Sequence, residues 1–281
     1  MAQNVHFILP SNGRELTASP LTAGQLGQLT SRKNRGPRSI ELLSKHIVPQ
    51  CTQLQPDEYK TLLIPDGEAV MVALVRATYG DELDYKLPCP ECDSKEAYCV
   101  DLSKMALRCL VKDAPTSGHC FTYEYRGKAL TYVFHIPTVE DQIKSTEEAH
   151  KLKEQHPSVD FDMILSIKIT ISEIKGLTDV LEGPTKSQAI LEHLFHVPAD
   201  FLNVFQERYN AESFGHVGTV KHRCQACGKE FEADLPLLQS FFSREREGLK
   251  KARLEREKNR DQSIRSYDTS SLTSPISRAS V

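Results

Sequence analysis

Lys86-Leu-Pro-Cys89-Pro-Glu-Cys92-Asp93 and Lys221-His-Arg-Cys224-Gln-Ala-Cys227-Gly228 decide how this chain is read. Each is a Cys-x-x-Cys turn set between two strand-like runs. Ahead of the first turn Leu83, Tyr85 and Leu87 alternate, and a second strand returns from Tyr98 to Leu102. Ahead of the second a strand ends at Arg223, and Phe231 to Leu235 returns. A Cys-x-x-Cys turn places two sulfurs on one side of an ion, and zinc takes four soft or borderline ligands in a tetrahedron. Two such turns complete one site. Cys89, Cys92, Cys224 and Cys227 are therefore the candidate ligands of a single structural zinc ion, one per chain. Gly228 adds weight, because a glycine after the second cysteine relieves steric demand where the knuckle turns back into a strand.

The spacing is unusual. Residues 93–223 separate the two pairs, against roughly 15–20 residues in an ordinary zinc ribbon, so the ion would clip distant segments together. Both halves nevertheless carry the same grammar, with Asp101-Leu102 following the first turn and Asp234-Leu235 the second. Three other readings stay open: a redox dithiol in each turn, separate or mixed metal sites drawing on Cys99 or His222, and inert core thiols. Redox activity normally sets Cys-x-x-Cys at the start of a helix, which neither hairpin tip resembles.

A four-thiolate site is structural, because a catalytic zinc keeps an open position for water. No His-Glu-x-x-His or His-x-Glu signature, glycine-rich phosphate loop or Gly-x-Ser-x-Gly elbow occurs. His119-Cys120 and Cys109 make a weak nucleophile candidate, since a lone cysteine near a histidine is far more often packing or surface chemistry. His135 ends a strand and packs, and Glu147, Glu148 and His150 read as a solvated helical face. The chain is read as a non-enzyme.

Composition agrees with a folded, soluble chain. Its 281 residues are 39% hydrophobic and 26% charged, and no apolar run approaches the roughly 20 residues of a membrane helix. The N-terminus lacks the basic region of an export signal, so the eight cysteines point to thiolate ligands in a reducing cytoplasm rather than to disulfides. A net charge of -3 gives no global attraction to nucleic acid, and the first knuckle is acidic on both sides. The second, with Lys221-His222-Arg223 and Lys229, is more basic and keeps a zinc-ribbon nucleic-acid or transcription adaptor as the alternative.

Outward from the knuckles, the reading is α+β: an N-terminal β-hairpin, helical bundle segments, and two distant Cys-x-x-Cys β-hairpins brought together as a zinc-ribbon-like module. Residues 1–79 hold a hairpin whose Asn12-Gly13 supplies the positive φ angles of a tight turn, then three helical patterns, the last following Pro65-Asp66-Gly67. Residues 80–104 are the first knuckle hairpin. Residues 105–215 are an inserted region: a variable stretch around Cys109 and Cys120, a strand over 128–136, then helices opened by Thr138, Thr185 and Pro198-Ala-Asp200. Within it the β-branched run 167–171 admits a strand, but its apolar context favours a buried helix ending at Gly176. Residues 216–243 are the second knuckle hairpin. In 244–281, eight Lys/Arg against five Asp/Glu over 244–261 read as a solvated helix, and a Ser/Thr-rich mobile tail follows. Docking of that tail onto an assembly partner is the alternative to plain disorder.

The opening Leu-Pro-Ser-Asn-Gly-Arg and Leu-Thr-Ala-Ser-Pro-Leu-Thr-Ala-Gly, the strand into Cys89-Pro-Glu-Cys92, and the closing Cys224-Gln-Ala-Cys227-Gly-Lys-Glu-Phe with Asp234-Leu-Pro-Leu and Phe241-Phe242 together resemble the baseplate hub proteins of T-even-type contractile phages. The likeness spans about residues 5–243. It implies a non-enzymatic tail protein that contacts other baseplate and tail proteins, with self-association allowed, no membrane insertion and nucleic acid disfavoured. It also implies a place in the virion tail baseplate, reached by assembly in the host cytoplasm. An assembly chaperone not retained in the virion is the alternative within that family.

Overall fold

A computed structural model of the protein describes residues 3–31, 37–111, 114–156, 161–178, 183–216 and 219–234. The expected strand end at Leu235, the Phe241-Phe242 pair, and the helix and tail of 244–281 lie outside the described residues. The fold is mixed α+β with small sheets. The chain divides into two compact units, Met1–Asp81 with Leu102–Gly218, and Glu82–Asp101 with the chain from Thr219 onward.

In the larger unit β1 (Val5–Ile8) and β2 (Glu15–Ala18) pair antiparallel, Val5 opposite Ala18 and Ile8 opposite Glu15. Their turn differs from the expected one. Gly13 has a positive φ (71°) and Asn12 does not; the Gly13 amide donates to the Leu9 carbonyl at 2.8 Å and the Leu9 amide to the Arg14 carbonyl at 2.9 Å. The loop is thus four residues long. Asn12 uses its side chain instead, its Oδ1 accepting from the Arg14 amide at 2.9 Å, a local bond that holds the turn without a second left-handed residue.

Helix α1 (Ala23–Leu29) starts at a capping box of Thr22 and Gln25. Helix α2 (Pro37–Leu42) passes through a π-helical turn, Leu43–Ile47, into α3 (Val48–Cys51). Pro49 lies in that last segment; lacking an amide and crowding the carbonyl four residues back, a proline forces a widening of this kind. After α4 (Glu58–Thr61), α5 (Ile64–Tyr79) runs through the centre of the unit. Pro65-Asp66-Gly67 is its first turn rather than a break before it, since a proline at the helix start loses no hydrogen bond. Val70, Met71, Val72, Leu74 and Val75 of α5 are all fully buried, so the helix is apolar all round, as a central helix is.

The chain then forms β3 (Glu82–Pro88) and β4 (Lys95–Asp101) of the smaller unit and re-enters the larger one with β5 (Leu107–Arg108), β6 (Ser117–Tyr125) and β7 (Lys128–His135). β6 was not expected, although Phe121, Tyr123 and Tyr125 alternate along it. Helix α6 (Val139–Gln155) opens on a Thr138–Asp141 capping box, and α7 (Asp162–Lys168) follows. There the β-branched run divides: the helix stops and β8 (Ile171–Lys175) pairs antiparallel with β7, Tyr132 opposite Ile174. Gly176 (φ 89°) ends a strand, not a helix. The expected helix fails because the open edge of β7 offers this segment ladder hydrogen bonds from residues far off in sequence. Helices α8 (Gly183–His196) and α9 (Asp200–Glu212) cover the sheet, burying Phe121, Tyr132, Phe134, Ile174, Ile190 and Phe201 in one cluster. β9 (Gly215–His216) pairs with β5. β10 (Thr219–Arg223) and β11 (Glu230–Asp234) complete the smaller unit.

Candidate metal centre

Each hairpin of the smaller unit carries one cysteine turn. β3 pairs with β4 in continuous register from Glu82↔Asp101 to Pro88↔Lys95, and β10 with β11 from Thr219↔Asp234 to Arg223↔Glu230. The two turns are built alike. In the first, the Cys89 amide donates to the Ser94 carbonyl and the Asp93 amide to the Cys89 carbonyl, both at 2.9 Å; in the second, Cys224 donates to Lys229 at 2.8 Å and Gly228 to Cys224 at 2.9 Å. The Leu9–Arg14 turn has the same two bonds with no cysteine in it, so this knuckle forms from local backbone chemistry alone.

The four sulfurs converge. All lie within 4.8 Å of one another, with Cys89 and Cys224 buried and Cys92 and Cys227 exposed. The Cys89–Cys227 and Cys92–Cys224 contacts, each 3.7 Å, both cross from one knuckle to the other. A tetrahedral zinc with Zn–S distances of about 2.3 Å needs sulfurs ~3.8 Å apart, so the donor set suits such an ion in identity and number, and the two crossing contacts stand near that spacing. None of the eight cysteines forms a disulfide. Among the described residues neither Cys99 nor His222 joins the group. Cys99 is exposed on β4 opposite Asp84. His222 Nε2 instead meets the Tyr85 hydroxyl at 3.2 Å, in a buried contact.

Electrostatics point the same way. Burial by itself would raise the Cys89 thiol, but the amides of Glu91 and Cys92 and the thiols of Cys224 and Cys227 hold it at about 7. At Cys224 the Cys227 amide favours the thiolate, yet burial and the neighbouring sulfurs push the thiol up to about 12. The cluster accepts a first negative charge readily and resists the later ones. A divalent cation removes that resistance.

Between the same two hairpins the rings of Tyr85, Tyr98, His222 and Phe231 pack together, with Tyr98 to His222 at 4.6 Å and His222 to Phe231 at 5.4 Å between centroids. Burial lowers the His222 pKa, which suits its role as a neutral packing partner. Among the described residues of this unit the buried side chains are few: Leu83, Asp84, Tyr85, Cys89, His222 and Cys224. So small a core, in a unit whose described part is shorter than roughly 40 residues, is the kind that metals stabilise.

One participant escaped the sequence reading. Glu96 on β4 accepts the amides of Gln225 and Ala226 at 2.8 and 2.9 Å and the Cys224 thiol at 3.4 Å; the Gln225 amide, ahead of the Ala226 amide and the Cys224 thiol, holds its carboxyl below the usual carboxylate range. Its position in a strand, opposite Leu87, carries no motif that would have singled it out. The other candidates separate. His119 Nδ1 faces Glu212 at 3.3 Å and its ring stacks on Phe134, while Cys120 and Cys109 are exposed. His135 ends β7, half-buried and with its pKa lowered by that burial. Glu148, on the face read as solvated, pairs with Lys168 at 2.7 Å. A cavity of about 440 Å³ opens in the larger unit; in its lining Arg76 bonds Asp81 and His6 bonds Thr17, while the buried His216 Nδ1 has no hydrogen-bond partner among the described residues.

No helix among the described residues is long and apolar enough to cross a membrane. No curated protein and no solved structure matches the chain. The family model described as T4 bacteriophage base plate protein matches residues 2–243. That span takes in both cysteine knuckles and every described element, and the chain therefore belongs to the T4 bacteriophage base plate protein family.

Proposed function

We propose that this protein is a structural, non-enzymatic component of the phage tail baseplate, in its hub region. It works through contacts with other baseplate and tail proteins and is stabilised by one structural zinc ion held by Cys89, Cys92, Cys224 and Cys227. The convergence of four sulfurs from two knuckles so far apart in sequence supports the metal most directly, and family membership supports the baseplate. Bound there, zinc supplies charge neutralisation and cross-linking, with no open position for a substrate. The chain's part is to present four thiols on two preformed turns, closing a loop whose entropy cost the ion offsets. Arrival in the host cytoplasm before incorporation follows from this reading.

Two measurements test it. Metal analysis of the purified full chain should find one zinc, lost in Cys224→Ser together with thermal stability; a zinc-free chain of unchanged stability would overturn the metal's role. Mass spectrometry of purified baseplates should find the chain at fixed stoichiometry. Its absence from finished particles would make it an assembly chaperone instead.

A further inference from the structure

The local bonds that build each knuckle act over a few residues. They do nothing to bring Cys224 and Cys227 to the hairpin that carries Cys89 and Cys92. The bond that grips the second knuckle itself comes from Glu96. Its two carboxylate oxygens take one amide each from the consecutive residues Gln225 and Ala226, at 2.8 and 2.9 Å, across a sequence separation of 129 and 130 residues. Successive backbone amides turned toward one anion form a nest, and charge-assisted bonds of this length are among the stronger ones a protein makes. On its own side Glu96 is fixed by the β3–β4 ladder opposite Leu87, and the hydroxyls of Ser94 and Tyr98 stand at 3.4 Å from its oxygens.

We infer that Glu96 is the positioning residue of the metal centre: by clamping the amides of Gln225 and Ala226 it docks the second knuckle on the first hairpin, so that the four thiols are gathered before any metal arrives. The inference rests on the zinc reading above and adds the device that makes so widely split a site assemble. Without the clamp, each binding event must also order the knuckle, and that cost appears as weaker and slower metal capture. A carboxylate beside four thiolates is electrostatically adverse once the ion is bound, which fits a group whose task precedes metal binding. Glutamine in its place keeps one acceptor oxygen for the amides and adds a donor facing Cys224.

The test uses the full chain, wild type, Glu96→Ala and Glu96→Gln, stripped of metal and then titrated with zinc against a chromophoric chelator. Amide exchange at residues 225 and 226 is followed in the metal-free state by NMR. In the metal-free wild type these amides should be protected, and Glu96→Ala should release them while the Asp93 amide of the first knuckle keeps its protection. Zinc stoichiometry should stay at one per chain with affinity lowered about 10-fold or more, and cobalt substitution should still give the four-thiolate spectrum. Glu96→Gln should fall between the two, which keeps the inference testable should the alanine variant fail to fold. Equal exchange and equal affinity in wild type and both variants would overturn the clamp while leaving the zinc site standing. A wild type that binds no zinc would overturn the metal reading and the clamp's purpose with it, and the exchange data would still show whether the contact forms.

Discussion

Asp93 and Gly228 hold the same place in two turns, each the residue after the second cysteine and each with a left-handed backbone, φ 54° and 74°. Only the second is the residue that geometry favours. An aspartate tolerates the left-handed region better than most side chains, but at a cost glycine avoids.

Asp93→Gly should therefore be neutral or stabilising, by up to about 1 kcal/mol, and Gly228→Ala destabilising by about 1 kcal/mol. Space is not the issue at Gly228, where an added Cβ would meet nothing within 4 Å. Thermal melts of the zinc-loaded variants measure this. A Gly228→Ala chain as stable as wild type would mean that the turn relaxes out of its left-handed form.

Gly67→Ala should go against helix propensity. An interior glycine replaced by alanine ordinarily gains about 1 kcal/mol, but here the new Cβ would stand 2.7 Å from Val139 Cγ2 and 3.6 Å from the Tyr59 hydroxyl. Val139 is itself buried and has little room to yield. Overpacking of this kind costs about 1–3 kcal/mol, so the net change should be a loss. Denaturant unfolding decides it, and adding Val139→Ala should restore part of what Gly67→Ala removes.

Glu68, on α5, gives a dependence on pH unconnected with the metal. Burial raises its carboxyl from 4.5 to about 7, and the groups facing it, Tyr59 and Tyr209, are phenols that stay neutral, Tyr209 being pushed up to about 12 mainly by its own burial. Between pH 4.5 and about 7 the folded chain keeps a proton that the unfolded chain has released. Stability therefore falls as pH rises through that window, by no more than about 3 kcal/mol from this group. Glu68→Gln should flatten the slope and raise the unfolding midpoint at pH 8. Identical pH profiles for the two proteins would show that Glu68 is already solvated.

Several elements could be read from sequence because their causes are local. The knuckles need only a cysteine spacing and a left-handed residue, and the Leu9–Arg14 turn shows that their backbone forms even without cysteines. Thr138 with Asp141 announces α6 within four residues. The resemblance read from the sequence rests on the same ordered signals, the opening hairpin, the two knuckles and the residues after them, all within the 2–243 span that the family model matches.

What tertiary structure decided has its causes at long range. Ile171–Lys175 is a strand because β7 lies open beside it, and the same β-branched residues satisfy helical periodicity until that edge is known. Pro65 can open a helix on local grounds, but the glycine at 67 has a tertiary reason, since it lets α5 lie close against Val139 and Tyr59. Glu96 has no signature at all, since its meaning lies in two amides some 130 residues away. Residue spacing determined which four sulfurs could hold a metal; only the fold, by packing Tyr85 and Tyr98 against His222 and setting a carboxylate across from the second knuckle, decided that they meet, because local geometry shapes a turn but cannot choose its partner.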